Sequence, residues 1–145
     1  MWGQLLAGGI VSFVNFAIHA LVTGAVIEAT RRTAARTDHL HAFLRMIALL
    51  TVTMIGLMIA HTCEIGVWGA FYEWFDVHTE KTTAFEFAFE NYTALGYGDA
   101  VADKFRLLGP ITALNGLLLI GWSVAVIFEV MKMADLRVAR KESAS

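Results

Sequence analysis

Residues Asn91–Asp99 have the sequence NYTALGYGD and place two glycines, two tyrosines and an aspartate between strongly apolar segments. Glycines at positions 96 and 98 permit backbone angles that other residues resist. Alternating such angles along Leu95–Gly98 can turn successive carbonyls in one direction, and oxygens aligned in this way can replace the water around a small cation. One chain supplies too few oxygens to surround an ion, whereas copies arranged about an axis supply rings. These residue types therefore indicate cation coordination by backbone oxygens.

Three segments without charged residues are long enough to position this loop in a membrane. They are Met1–Ile27, Met46–Cys63 and Leu107–Phe128. A membrane-spanning helix needs about 20 apolar residues. Three such helices leave little of the 145 residues for a soluble domain, and 57% of the residues are hydrophobic. The first segment lacks the early positive charge of a signal peptide, which favours a retained helix. The sequence predicts an all-α membrane protein with three transmembrane helices.

The distribution of charge predicts the orientation. Basic residues follow the first and third segments: Arg31, Arg32, Arg36, Arg45, Lys132, Arg137, Arg140 and Lys141. The 65–105 segment is mainly acidic. Because basic residues near membrane spans stay cytoplasmic, we expect the N-terminus outside and the C-terminus in the cytoplasm. The small size of the chain suggests a bacterial inner (plasma) membrane.

A short apolar segment precedes the glycine-rich loop. Residues Thr83–Tyr92, TAFEFAFENY, follow a polar stretch in which Thr82 or Thr83 can cap a helix, with Glu86 near its first turn. About ten helical residues span only about 15 Å, which is too short to cross a membrane. The pattern therefore predicts a re-entrant pore helix that delivers the loop partway into the membrane, where non-helical backbone must be buried in protein or line a water-filled path.

The motif TALGYGD resembles the filter signature T-T-V-G-Y-G-D of the two-helix potassium channel pore-domain family. The preceding EKTTAFEFAFENY is similar to the pore helix of that family. The following FRLLGPITALNGLLLIGWSVAVIF is similar to the inner helix of a small bacterial subgroup, and HTCEIGVWGAFYEWF is similar to the end of its outer helix. The resemblance covers about residues 43–131 and leaves an extra helix at the N-terminus.

The resemblance implies a potassium-selective channel in which four identical chains surround one pore. The implied organisation is an N-terminal transmembrane helix 1–30, a cytoplasmic loop 31–42, a pore domain 43–131 and a short cytoplasmic tail 132–145. Within the pore domain it implies an outer helix at about 43–74, a pore helix at about 83–92, a filter at 93–99 and an inner helix at about 103–131. The expected partners are identical subunits, membrane lipids and K⁺. We expect no enzymatic activity, no nucleic-acid binding, and no metal or cofactor besides the permeant ion.

The resemblance also assigns ion-binding carbonyls to five consecutive residues, Ala94, Leu95, Gly96, Tyr97 and Gly98. Thr93 matches the first threonine of the signature, at the end of the pore helix. Ala94 stands where the second threonine is usual and lacks its hydroxyl. The innermost ion site is therefore expected to be weaker, and a poorly selective cation channel is one alternative. A non-conducting channel-like subunit is another.

Residues near the implied filter carry open alternatives. Glu90 and Asp99 match a carboxyl pair that supports the filter in some family members, although Glu90 could instead face a water pocket alone. Gly116 and Gly121 match inner-helix glycines that could act as a hinge or allow close helix packing. Asn115 could line the cavity below the filter or form an interhelical hydrogen bond.

Two further groups of side chains lie on the predicted outer helix. His61 and Glu64 are three residues apart on one helix face and could begin a metal site. The sequence offers no obvious third ligand, so a polar helix end is the main alternative. Trp68, Tyr72 and Trp74 are expected to anchor the helix at the membrane interface.

Overall fold

Four helices form the described part of the chain, which in this computed structural model comprises residues 2–77, 83–96 and 105–142, with side chains to residue 134. The helices are α1 (Trp2–Arg36), α2 (Ala42–Trp74), α3 (Ala84–Tyr92) and α4 (Leu108–Glu142). Helices α1 and α2 and the first 27 residues of α4 are long and apolar enough to cross a membrane. The predicted all-α membrane fold is confirmed.

The connection between the first two helices differs from the predicted loop 31–42. Helix α1 continues to Arg36, and α2 already begins at Ala42. Alanine and arginine are strong helix formers, and Arg32 Nε lies 2.8 Å from Glu28 Oε1 one turn earlier. The arginines that predict a cytoplasmic segment therefore extend the helix beyond the apolar span.

The bounds of α4 also differ from those of the inner helix that the resemblance predicts at about 103–131. The helix begins at Leu108, after a turn that includes Phe105. It continues to Glu142, so most of the predicted tail 132–145 is helical. The physical reason is the same as for α1, because Ala, Leu, Arg, Lys and Glu dominate this stretch and favour helix without an apolar surrounding.

Helix contacts divide the chain into two compact units. The first unit comprises Met1–His19 and Ala60–Gly121, and the second comprises Ala20–Ile59 and Trp122–Ser145. In the second unit α1 and α2 pack closely, because Gly56 leaves room for the side chain of Val26. A hydrogen bond of 3.1 Å joins the hydroxyls of Thr30 and Thr53 there. Small and hydroxyl side chains are typical of helix contacts inside membranes.

The core of the first unit forms around α3. Trp68 and Tyr72 are fully buried in it, and the ring centroid of Tyr72 lies 4.9 Å from that of Phe87 in an edge-to-face arrangement. The predicted interface role of Trp68 and Tyr72 is therefore wrong. These rings belong to the same buried core as the α3 residues Phe87 and Ala88, where large side chains fill the interior. Trp74, two residues after Tyr72, is 85% exposed.

Candidate functional site

Helix α3 begins with a capping box formed by Thr83 and Glu86. The Thr83 Oγ1 atom accepts from the Glu86 N–H at 3.2 Å, and Glu86 Oε2 accepts from the Thr83 N–H at 2.9 Å. These bonds satisfy backbone donors that no helical carbonyl can reach. The bond from the Thr83 N–H, followed by one from its hydroxyl, holds the pKa of Glu86 below its ordinary value. The start of α3 is therefore fixed by its own sequence.

Replacing Thr83 with alanine is expected to destabilise the protein by about 1 kcal/mol at neutral pH, the typical cost of losing an N-cap hydroxyl. The lowered pKa of Glu86 means that its contribution to stability is complete above the ordinary value of 4.5 and is lost as the pH falls through the folded-state value. The difference between wild type and Thr83→Ala should therefore narrow in acid. Thermal unfolding in detergent, at neutral pH and at a pH below 4.5, measures this difference in stability. Thr51→Ala, which replaces an exposed threonine inside α2, is the control. An equal effect of both substitutions would contradict the capping role.

Helix α3 ends in a Schellman motif that turns the chain sharply. The Leu95 N–H donates to the Glu90 carbonyl at 3.0 Å, and the Ala94 N–H donates to the Asn91 carbonyl at 2.9 Å. The φ angle is 58° at Ala94 and 70° at Gly96, so both residues have left-handed backbone. Glycine adopts this conformation freely, whereas alanine pays roughly 1–2 kcal/mol. Within the predicted filter, Leu95 thus lies between two residues with left-handed backbone, Ala94 and Gly96.

The structure describes part of the predicted filter. Ala94, Leu95 and Gly96 lie within the described residues, whereas Tyr97, Gly98 and Asp99 lie outside them. Thr93 caps the C-terminus of α3, and its hydroxyl donates to the Phe89 carbonyl at 3.0 Å. A threonine at position 94 would be disfavoured at positive φ, because its side chain is branched at Cβ. Alanine at this position therefore suits the observed backbone better than the threonine of the family signature.

Glu90 contributes to this turn through its backbone. Its carbonyl accepts from the N–H groups of Leu95 and Gly96 at 3.0 and 3.3 Å. The Oε2 atom of its side chain is buried and has no hydrogen-bond partner among the described residues. Because Asp99 lies outside the described residues, the carboxyl pair of Glu90 and Asp99 stays a prediction.

A buried polar cluster joins three helices beside the end of α3. The carboxylate of Glu64 on α2 is fully buried. Its Oε1 lies 2.7 Å from Nδ1 of His19 on α1, and its Oε2 lies 3.1 Å from Nδ1 of His61. The same Oε2 accepts a hydrogen bond from the hydroxyl of Tyr92, the last residue of α3. Glu64 thus connects Tyr92, the residue before Thr93, to His19 on α1.

A second set of polar contacts lies next to this cluster. Asn115 Oδ1 on α4 accepts from Nδ2 of Asn15 at 3.0 Å and from the indole N–H of Trp68 at 2.9 Å. Asn15 Nδ2 also lies 3.2 Å from the Glu64 carbonyl oxygen. Asn115 is only 2% exposed. Its geometry corresponds to the interhelical hydrogen bond and not to the cavity-lining position.

Sequence reasoning identified His61 and Glu64 but missed their partners. The signal that could have found them is the pair Asn15 and His19, two polar residues four apart in a long charge-free span. That spacing places both on one face of α1, and polar side chains inside membranes face other helices. Which helix they face depends on packing, so His19 and Tyr92 could not be assigned to Glu64 from spacing alone.

Replacing Tyr92 with phenylalanine is expected to cost about 2–3 kcal/mol of unfolding free energy, because it removes a hydrogen bond to a buried carboxylate. Tyr72→Phe is a matched control, since the equally buried Tyr72 hydroxyl bonds to Thr112, which is neutral. That change should cost about 1 kcal/mol. Thermal unfolding compares the two variants, and hydrogen exchange should show faster exchange of α3 amides in Tyr92→Phe only. Equal exchange in both variants would refute the view that Tyr92 holds the end of α3.

The two inner-helix glycines have different surroundings. A Cβ atom built on Gly116 would overlap with the carbonyl oxygen of Tyr92, whereas one built on Gly121 would meet nothing within 4 Å among the described residues. Helix α4 is continuous through both positions. Gly116 therefore allows α4 to approach the last carbonyl of α3 closely, which supports the packing alternative over the hinge at this position.

Comparison with known protein families agrees with this arrangement. A family model described as "Ion channel" matches residues 47–133, which is more than half of the chain. The match begins in α2, includes α3 and the filter segment, and ends in α4. Searches of curated proteins and of solved structures return no significant match. The chain therefore belongs to the two-transmembrane ion-channel family with a potassium-channel type of pore, and α1 is an additional helix that precedes the matched pore domain.

Proposed function

We propose that the protein is a potassium-selective channel that conducts K⁺ passively through a filter of peptide carbonyls. The observation that carries this proposal is the capped helix α3, which ends directly at the left-handed residues Ala94 and Gly96 of the motif TALGYGD. Carbonyl oxygens of residues 94–98 would replace the hydration shell of K⁺. Selectivity against Na⁺ would follow from the number and field strength of these oxygens, or from cavity size.

The proposed assembly is a tetramer of identical chains, because a single chain cannot enclose an ion. Large apolar side chains of the first unit support it. Phe85 and Phe89 on α3 are 48% and 49% exposed, and Leu95 is 79% exposed. A re-entrant helix at membrane depth needs protein around its non-helical end. Neighbouring copies would provide that cover.

The proposed location is the plasma membrane, with the N-terminus outside and the C-terminus in the cytoplasm. Arg31 and Arg45 lie near the short connection between α1 and α2, and Lys132 lies toward the C-terminal end of α4. Arginine and lysine in such positions remain on the cytoplasmic side. Membrane lipids and K⁺ are the other proposed partners, and the passive mechanism involves no enzymatic reaction.

Ion flux from the purified protein in liposomes tests the function. Uptake of the K⁺ analogue Rb⁺ is expected to exceed Na⁺ uptake at least tenfold, and chemical cross-linking should yield species up to four chains. Liposomes without protein give the background, and a K⁺ ionophore shows that they are sealed. Absence of flux from correctly assembled tetramers would support a non-conducting subunit and reject the proposal.

A poorly selective cation channel is the second candidate, and Ala94 is the observation that favours it. The family signature places a threonine there, whose hydroxyls would add a ring of oxygens to the innermost site. Alanine keeps the carbonyl and removes that ring. Similar uptake of Rb⁺ and Na⁺ would favour this candidate over the selective channel.

A further inference from the structure

Three side chains in the first unit have the types and spacing of a transition-metal site. The potential ligand atoms of His19, His61 and Glu64 all lie within 4.8 Å of one another. Separate Glu64 oxygens lie 2.7 Å from His19 Nδ1 and 3.1 Å from His61 Nδ1. Ligand atoms around a tetrahedral zinc ion, bound at about 2.0–2.2 Å, are about 3.3 Å apart. Both contacts to Glu64 are shorter than this spacing, so the side chains would have to separate slightly to admit one ion between them.

We propose that His19, His61 and Glu64 bind one Zn²⁺ ion per chain. Two imidazoles and one carboxylate form a ligand set suited to zinc and unsuited to K⁺ or Mg²⁺, which prefer oxygen. His61 and Glu64 lie one turn apart on the same face of α2, and His19 completes the set from α1. The site lies among helix side chains, apart from the filter backbone, and its existence does not depend on conduction.

Neighbouring groups hold these ligands in position. The Tyr92 hydroxyl donates to Glu64 Oε2 and lies 2.8 Å from His61 Nδ1. Asn15 Nδ2 lies 3.2 Å from the Glu64 carbonyl oxygen. These contacts hold Glu64 Oε2 and His61 Nδ1, the atoms that would ligate the ion, close together before the ion binds, and bonds to the ion would replace them.

The three proposed ligands differ in exposure, which indicates how an ion would reach them. The side chains of His19 and Glu64 are fully buried, whereas that of His61 is 17% exposed. His61 is therefore the side from which an ion would enter. Once bound, the ion would link α1 to α2 beside the last residue of α3, and a ligand that binds only the folded state stabilises that state.

Metal titration of the purified full-length protein in detergent tests this inference without measuring conduction. Zn²⁺ should bind with one ion per chain and raise the melting temperature by several degrees. Co²⁺ should give the intense visible absorption of a four-coordinate ion, which Zn²⁺ then removes. Glu64→Gln and His19→Ala should each lower the affinity by more than the roughly 10–100-fold typical of losing a group that only orients a ligand, because each removes a ligand itself. His39→Ala, at an exposed position, should bind as the wild type does.

Two further measurements keep the inference testable if these variants do not fold. His19→Gln retains a hydrogen-bonding side chain of similar size but is a poor zinc ligand, and it should lose binding while remaining assembled. X-ray absorption of the zinc-loaded wild type should show two imidazoles and no sulfur. Unchanged affinity in His19→Gln, a sulfur ligand from Cys63, or no stoichiometric binding by the wild type would overturn the proposal.

Discussion

Gly116→Ala is expected to abolish ion flux and to lower the unfolding free energy by about 1–3 kcal/mol, the usual cost of overpacking. An added Cβ would overlap with the Tyr92 carbonyl oxygen and lie 2.9 Å from the carbonyl carbon. Because these atoms are backbone, no side-chain rotation relieves the clash. Either α4 or the end of α3 must move, and the filter segment begins immediately after that end.

Gly121→Ala on the same helix is the matched control for this prediction. The added Cβ meets no described atom within 4 Å, and alanine is favoured over glycine inside helices by about 0.5–1 kcal/mol. Gly121→Ala should therefore leave the free energy of unfolding unchanged or raise it slightly. Thermal unfolding in detergent and Rb⁺ flux in liposomes compare both variants. Loss of flux in Gly116→Ala with unchanged stability would instead indicate a hinge.

Gly96→Ala is expected to reduce K⁺ flux to background while leaving tetramer assembly intact. The position has a φ of 70°, where a non-glycine residue costs roughly 1–2 kcal/mol in each chain. No described atom lies within 4 Å of the added Cβ, so the effect arises from the backbone rather than from a clash. In the proposed tetramer four chains share one filter, so the change would disturb every ring of carbonyl oxygens.

The control for Gly96→Ala is Gly9→Ala, at an exposed glycine of α1 with no described atom near its added Cβ. Size-exclusion chromatography should show the same oligomer for both variants and the wild type. Rb⁺ uptake in liposomes should be lost only in Gly96→Ala. Flux near the wild-type rate in Gly96→Ala would contradict the role of this backbone in the filter, even if the tetramer were confirmed.

The elements of this protein are largely predictable because their signals are local. Long charge-free segments indicate the membrane spans, and Thr83 with Glu86 indicates the start of the short helix. The helix ends were harder to predict. Residues 31–36 and 132–142 are polar enough to suggest loop and tail, but their composition favours helix once an adjoining span has nucleated it.

The candidate site is predictable where one stretch of chain contains it and unpredictable where several helices contribute. TALGYGD can be recognised in the sequence, including its glycine at position 96. Ala94 was expected to matter through a missing hydroxyl, and the structure adds that its backbone is left-handed. The sequence predicts an interface position for Trp68 and Tyr72 because their distance along the span can be read from the chain, whereas the side of α2 that they occupy cannot.

The sequence by itself determined the number of spans, the helical class and the ion-channel family, because hydrophobic length and motif are properties of consecutive residues. Only the tertiary structure decided that His19, Glu64 and Tyr92 meet, that Asn115 bonds to Trp68, and that Gly116 touches the end of α3. These contacts join residues far apart in the chain. They depend on the rotation of each helix about its axis and on the choice of its neighbours, which no single segment specifies.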